Sequence, residues 1–587
     1  MFIKNVKIIL IYFVGILHWL FFFLFVDYYN YTNDEFDKSY KIIKYSNYDD
    51  SIIGKNIYTH VAILNLNGEY LVGDVNKMNN FKYSFKSIKD VNDNIMKGDK
   101  DLLTNIKNNF NIKKLFELKK FTYSDWRYEN YVYDVIKNSL ENKIIPFHSK
   151  YGVGNAPNND RFLGGLMYTI SPQIIFSLFF ESQSFFIINL LLMYTIGFIG
   201  CLLIKKYYKL GFNSFIILFI IYNFNGYFVE KISAYGPHIL GYYFTPFIIF
   251  SALRISEMRK LNNVNYYKWS ILWGLSLTAI LLQGSLHLYV QFITFTLIWT
   301  VFNYRLWKLS FLALIISFLS GSIRILPAIF AYGGKANPHA FVWGGYQSFT
   351  EIIQSFYILH SHLQDPVFHW WERSLYISYF GFIFIVVFSM WAYLKIGVTI
   401  NFSIFKKKLS INDFSWIKFK FDKYIYLTLF IIVCLSIRFW KNFMIPPWIP
   451  LLNAESMTTR YMIIPLLFLL FISVINLQGF INKYSYKKLL IYIINFCSLF
   501  MTIFIFNHSR IWRMHKIQTE ENWYHSLYSI PAFVMNDPYW INKPDDMFYI
   551  FSFWLGLIIS IISILFIIRY CIVQNYFFKL RFYFYNN

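Results

Sequence analysis

Apolar positions along this chain come in long runs broken by short polar stretches, not at helical or alternating spacing. A run of about 20 mostly apolar residues crosses the hydrocarbon layer of a bilayer as one helix. Twelve runs are readable, centred on 8–26, 183–204, 213–229, 237–253, 269–283, 285–303, 309–328, 375–394, 424–437, 459–478, 489–507 and 548–568. The pattern predicts an all-α polytopic membrane protein with about 12 transmembrane helices. The segment 1–26, with Lys4 and Lys7 ahead of IILIYFVGILHWLFFFLFV, lacks a small-residue cleavage site and reads as an uncleaved signal-anchor helix. Membrane helices then fill 163–330 and 375–507, and 548–587 forms the last helix and a tail. Within the first block, LGGLMYTISPQIIFSLFF (163–180) is interrupted by Ser171-Pro172 and is expected to be interfacial or re-entrant.

The polar segments between the runs are unequal. The long ones are 27–162, 331–374, 438–458 and 508–547. In the first, His60–Leu66 and Glu69–Val72 flank Asn67-Gly68, a strong hairpin signal. Residues 100–145 read as polar helix, so the first loop is expected to hold a small α+β insertion. GVGNAPNNDRFLGG (152–165) lacks the GKS/T ending of a phosphate loop and reads as irregular chain.

Composition agrees with a membrane protein. Hydrophobic residues make up 56% and charged residues only 15%, which excludes disorder. Four Cys in 587 residues exclude a disulfide scaffold. The net charge of +23 raises the question of nucleic acid, and its placement answers it. Alternate short connections, with Lys4, Lys7 and the C-terminal tail, carry 24 basic residues against three acidic ones, Glu257, Asp413 and Asp422. The remainder of the chain is nearly neutral. The positive-inside rule puts the basic side and both termini in the cytoplasm, and an even span count fits that alternation. The excess charge is an orientation signal, and no nucleic-acid partner is needed. The long, near-neutral loops then face outward, where function is expected. Lys exceeds Arg by 42 to 13, and Asn, Ile, Phe and Tyr are abundant, as an A+T-rich genome gives whatever the function.

Candidate chemistry sits at that outer side. Asp34-Glu35-Phe36-Asp37 follows the first run by eight residues, where a carboxylate just above the membrane suits general-base work or a divalent cation. Ionisable residues at outward span ends are costly near lipid and usually functional. They are Glu230 and Lys231 after FNGYFV, His238 in YGPHILGYYFTP, His287 in LQGSLHLY, Arg324 in SGSIRILPAIF and Arg460 in ESMTTRYMIIP. Arg and His together match the oxygens of a lipid phosphate. HSHLQDPVFHWWE (360–372) has metal-ligating residue types, but its Pro and its lack of an HExxH spacing argue against a metal site.

Several of these blocks, in order, resemble the GT-C glycosyltransferase superfamily and its YfhO-like branch. They are Asp34-Glu35 in the first outer loop, YNFNGYFVEKISAYGPHILGYYFTPFIIFSALR (222–254), LLQGSLHLYVQF (281–292) and MIPPWIPLLNAESMTTRYMIIPLLFLL (444–470). The resemblance implies an inverting membrane glycosyltransferase that takes a sugar from a polyprenyl-phosphate donor on the exoplasmic face. The acceptor would be a lipid, a glycan or a protein. Asp34 or Glu35 would be the base, and His238, His287 and Arg460 would contact the donor. Glu230 and Arg324 join the substrate-binding set from charge placement. The hairpin region enlarges the first loop beyond the family pattern, which leaves Asp27 and Asp160 as other candidates for the base. The competing readings are a lipid or polysaccharide flippase and an O-antigen-type polymerase or ligase, for which Arg510, Arg513 and His515 would matter more.

Overall fold

The structure, a computed structural model, describes residues 2–24, 61–66, 69–74, parts of 133–148, 163 and most of 170–585. Outside the described residues lie 25–60, 75–132, 149–162, 333–343, 360–371, 440–456, 515–545 and a few shorter stretches. Asp34-Glu35 therefore falls outside them, as do Asp27, Asp160 and most of the 360–372 set.

The described chain is mainly helical. In order it forms α1 (Phe2–Leu24), α2 (Ser182–Tyr207), α3 (Phe212–Phe224), α4 (Gly226–Ala234), α5 (Thr245–Met258) and α6 (Tyr267–Leu282). It continues through α7 (Leu286–Phe302), α8 (Trp307–Ser320), α9 (Ser322–Tyr332), α10 (Phe349–Ser355) and α11 (Ser378–Ile385). The last four are α12 (Lys423–Ser436), α13 (Ile463–Tyr484), α14 (Lys488–Met514) and α15 (Met547–Tyr585). Strands β1 (Val61–Leu66) and β2 (Glu69–Asp74) pair antiparallel, with Leu66 opposite Glu69, in the register the Asn67-Gly68 signal predicts. A second hairpin, β3 (Val398–Phe402) with β4 (Lys407–Ile411), falls in a basic connection where no strand was expected.

Among the described residues, seven helical segments are long and apolar enough to cross a bilayer: Val6–Phe23, Ser184–Tyr207, Phe212–Ser233, Pro237–Glu257, Thr458–Tyr484, Ile491–Trp512 and Met547–Cys571. The pair α7 and α8, bent by 110° at Asn303, makes an eighth if counted as one span. The twelve expected runs all fall on helices, but Tyr267–Leu282, Ser378–Trp391 and Lys423–Ser436 are too short to qualify alone. A 16-residue helix is only about 24 Å long, against a hydrocarbon layer of about 30 Å. The expected interfacial segment forms a short 3-10 helix, Pro172–Leu178. All four cysteines are free thiols.

One continuous core runs through the bundle. At its centre the Thr458–Tyr484 segment is 94% buried, while Ile491–Trp512 and Met547–Cys571 are 17% and 22% buried. These outer helices turn Phe496, Leu499, Ile558, Leu565 and Phe566 outward, as expected of a lipid-facing surface. Segments that the charge alternation expects on one side do meet. Ser171 bonds Gln283, Lys231 pairs with Glu372, and Ser233 reaches the Trp512 carbonyl. At the other end Gly211 meets Gln478, and Asn213 meets Asn495.

The helices near the first group are broken, and backbone groups freed in a low-dielectric interior need partners from the protein itself. Asn225 separates α3 from α4. Its amide nitrogen donates to the carbonyls of Ile221 and Tyr222 and to the Tyr242 hydroxyl, all at 2.9 Å, and its oxygen accepts from the Phe228 N–H. One side chain thus caps both half-helices. Gly226 follows because a Cβ there would lie 2.5 Å from the Tyr376 nitrogen; its own N–H donates to the Tyr376 carbonyl at 2.7 Å. Tyr222 and Tyr242 stack at 4.9 Å, and each hydroxyl donates to the other's carbonyl. Replacing Asn225 with Leu strands these groups, each at about 1–3 kcal/mol. Asn225→Leu should unfold several degrees earlier than the native chain in a detergent thermal melt.

Candidate functional site

A cavity opens at the end of the bundle where α3 breaks. Its walls are Tyr227 and Lys231 of α4, His238 and Ile239, Ser285, His287 and Leu288 at the start of α7, and Arg460. Each wall comes from a place where regular helix is interrupted. Gly236, at φ 89°, turns the chain into Pro237, which opens the 3-10 helix Pro237–Phe244. Gly284, at φ 76°, ends α6 and starts α7 within three residues. The two turns interlock. The Gly241 N–H donates to Ser285 Oγ at 2.9 Å, and that hydroxyl donates to the His238 carbonyl. A Cβ at Gly241 would overlap Ser285, so the close approach requires glycine. This joint carries His238 and His287 to one cavity.

Arg460 is delivered by another strapped segment, the 3-10 helix Thr458–Met462. Residues 344–346 run between 437–438 and 457–458. Thr458 N–H donates to the Gly344 carbonyl at 2.9 Å, and Tyr346 exchanges backbone bonds with Ser436 and Arg438. The Thr459 hydroxyl donates to the Glu372 carbonyl at 2.5 Å.

Glu372 is the electrostatic centre. It is 4% exposed, and its carboxylate accepts from Arg460 Nε at 2.8 Å, from Arg460 Nη2 and from Lys231 Nζ. Burial by itself raises a carboxyl pKa; here Arg460 first and Lys231 next outweigh it and hold Glu372 below the usual carboxylate range. Among the described residues, two fixed cations thus share one carboxylate beside two imidazoles. Beside them, Glu230 is wholly buried and faces His508 Nε2 at 2.8 Å, with Tyr376 stacked on that imidazole at 4.6 Å.

Of the expected residues, His238, His287 and Arg460 line the cavity together. Glu230 is one residue from a wall, but its carboxylate serves His508 in the interior. Arg324 is wholly buried in α9, which packs along α15, and it does not line the cavity. Sequence reasoning missed the role of Glu372. It grouped that residue with a metal-like set, whereas here it binds Arg460 and Lys231. Among the described residues no group of three His, Cys, Asp or Glu is placed to hold a metal ion. His508 is the partner of Glu230. A buried carboxylate demands a cation or donor nearby, but the pairing itself comes from residues 88 and 278 positions apart.

Compared with known protein families, curated proteins and solved structures, the chain matches none. What the described lining offers follows from its residue types: a small, largely apolar recess bordered by Lys231, Arg460 and two imidazoles has the kind of side chains that bind a phosphate group.

Removing the Glu372 charge leaves two buried cations facing each other. Breaking a buried pair costs about 3–5 kcal/mol, so Glu372→Gln should be clearly less stable in detergent at neutral pH. Because the native Glu372 pKa is depressed, its contribution is complete above the ordinary carboxylate value of 4.5 and fades as pH falls through the lower native value. The stability gap between native chain and Glu372→Gln should therefore narrow below about pH 4.5 in melts across that range.

Proposed function

We propose that the protein is an integral membrane glycosyltransferase, of about twelve spans, with both termini in the cytoplasm. It takes a sugar from a polyprenyl-phosphate donor at the exoplasmic face and passes it, with inversion, to a lipid, glycan or protein acceptor. The observation that carries this reading is the convergence of His238, His287 and Arg460, from three distant stretches of sequence, on one cavity. A lipid-linked donor presents its phosphate at the membrane edge, where this recess opens between span ends. Lys231 and Arg460 attract the phosphate, and Glu372 keeps the wall from overcharging. His238 and His287 donate to phosphate oxygens or to the sugar. The short helices α6, α7, α8, α11 and α12 complete the twelve spans where the bilayer thins around them.

The base is assigned to Asp34 or Glu35. Trp19 of α1 packs on Phe228 of α4 at 5.4 Å, which sets the end of α1 near the Lys231 wall. Asp34 lies ten residues beyond Leu24, a tether of up to about 35 Å. The carboxylate would remove the acceptor's proton as the acceptor oxygen attacks the anomeric carbon and the polyprenyl phosphate leaves. A divalent cation at residues 34–37 is compatible with the same chemistry.

The break at Asn225 also favours a second reading, because interrupted spans occur at transporter binding sites. A flippase would move labelled lipid across a liposome bilayer with no covalent product. The leading reading is tested with purified protein in nanodiscs and tritiated polyprenyl-phosphate hexoses. Asp34→Asn combined with Glu35→Gln should cut transfer by about 10²–10⁴-fold while insertion is normal. Full activity in both single variants and the double rejects the base. His287→Ala should raise KM for the donor roughly tenfold with kcat nearly unchanged, the effect of one charge-assisted contact.

A further inference from the structure

The segment between Ser171 and Phe180 is built inside out for a surface element in water. Its polar side chains point inward: Ser171, Gln173 and Ser177 are buried. Gln173 donates to Asn189 at 3.1 Å, Gln283 donates to Ser171 at 3.0 Å, and Ser177 returns to the Ile174 carbonyl at 2.7 Å. Its large apolar side chains point outward, with Ile175 54%, Phe176 39%, Phe179 73% and Phe180 41% exposed. At seven residues the 3-10 helix is far too short to span. Four exposed apolar groups over buried, bonded polar ones fit hydrocarbon, not water.

Its position gives that surface a specific occupant. The Ile170 N–H donates to the Leu282 carbonyl at 2.8 Å, and Ser171 is held by Gln283. Gly284 and the cavity residues Ser285 and His287 follow directly. The apolar segment is thus bonded to the turn that forms one wall of the basic cavity. A ligand with a phosphate in the cavity and a hydrocarbon tail would leave along this side.

We propose that Ser171–Phe180 lies in the bilayer without crossing it and cradles the isoprenoid tail of the lipid whose phosphate occupies the His238–His287–Arg460 cavity. This rests on the lipid-phosphate reading of that cavity, and it adds a second recognition element that selects the tail. Phospholipid is the alternative occupant, since it shares the hydrocarbon and phosphate chemistry.

The test places a photoreactive benzoylphenylalanine at Phe179, and separately at Phe496 on the outer face of α14, in the full chain in nanodiscs. Each is irradiated with radiolabelled polyprenyl phosphate or with radiolabelled phosphatidylglycerol. Polyprenyl phosphate should label position 179 about tenfold more than 496, relative to phospholipid, the difference one specific contact makes. His287→Ala should abolish that preference while phospholipid labelling is unchanged. Equal relative labelling at both positions shows general lipid exposure and overturns the proposal. Labelling of 179 by neither lipid places the segment outside the bilayer and also overturns it. The probe carries no sugar and needs no turnover, so failure of glycosyl transfer with the preference intact rejects the enzyme reading alone.

Discussion

A single carboxylate between two cations holds the candidate site together. Lys231 and Arg460 come from segments more than two hundred residues apart, and both are nearly excluded from water. Two buried positive charges at such closeness repel strongly in a medium of low dielectric. Glu372 turns that repulsion into a three-membered network by accepting from both at once. The arrangement also fixes the direction of each cation. Arg460 is engaged through Nε and Nη2, so its planar group has a defined orientation beside the cavity. For the proposed ligand, an Arg460 side chain whose orientation is already set would lower the ordering cost of binding.

The same site exists only because helices are interrupted around it. An unbroken span offers side chains but no backbone turn on which a ligand group can be seated. Here Asn225, Gly236-Pro237, Gly284 and the Thr458–Met462 turn interrupt helices whose neighbouring residues line the cavity. Every break exposes N–H and C=O groups that hydrocarbon cannot satisfy. Asn225, Ser285, Thr458 and the tyrosine pair supply the missing partners from side chains. The cost of making the recess is thus met locally, and the apolar core continues around it.

What could be read in the sequence followed from the bilayer's demands. Apolar run length gave the helices, and the placement of Lys and Arg paired the span ends that meet in the fold. His238, His287 and Arg460 were legible because ionisable groups are rare beside apolar runs. The count of full spans was less legible, since runs such as 269–283 look apolar enough while the helix they form is short. Glu372 was hidden for a different reason. Its significance depends on two partners brought near it by tertiary packing, and the histidines and Asp365 of HSHLQDPVFHWWE drew it into a metal-like set. Arg324 shows the converse: its sequence context matched the site residues, yet α9 packs along α15 and not at the cavity. The β3–β4 hairpin was missed because its lysines were read for charge alone and not for alternation.

The order in which the chain is made has its own bearing on the bundle. The most enclosed segment, Thr458–Tyr484, is synthesised long after α2, which starts at Ser182. At about 5–20 residues per second, some 280 intervening residues take roughly 14–56 s to emerge. During that interval Ser214 of α3, whose hydroxyl donates to Gln478 of α13 at 3.0 Å, waits without that partner. Early spans must therefore be held by one another or by an insertion chaperone until α13 arrives. A ribosome stalled before residue 458 would leave an intermediate in which Gly211 and Ser214 lack the Gln478 side chain that they bond in the finished bundle.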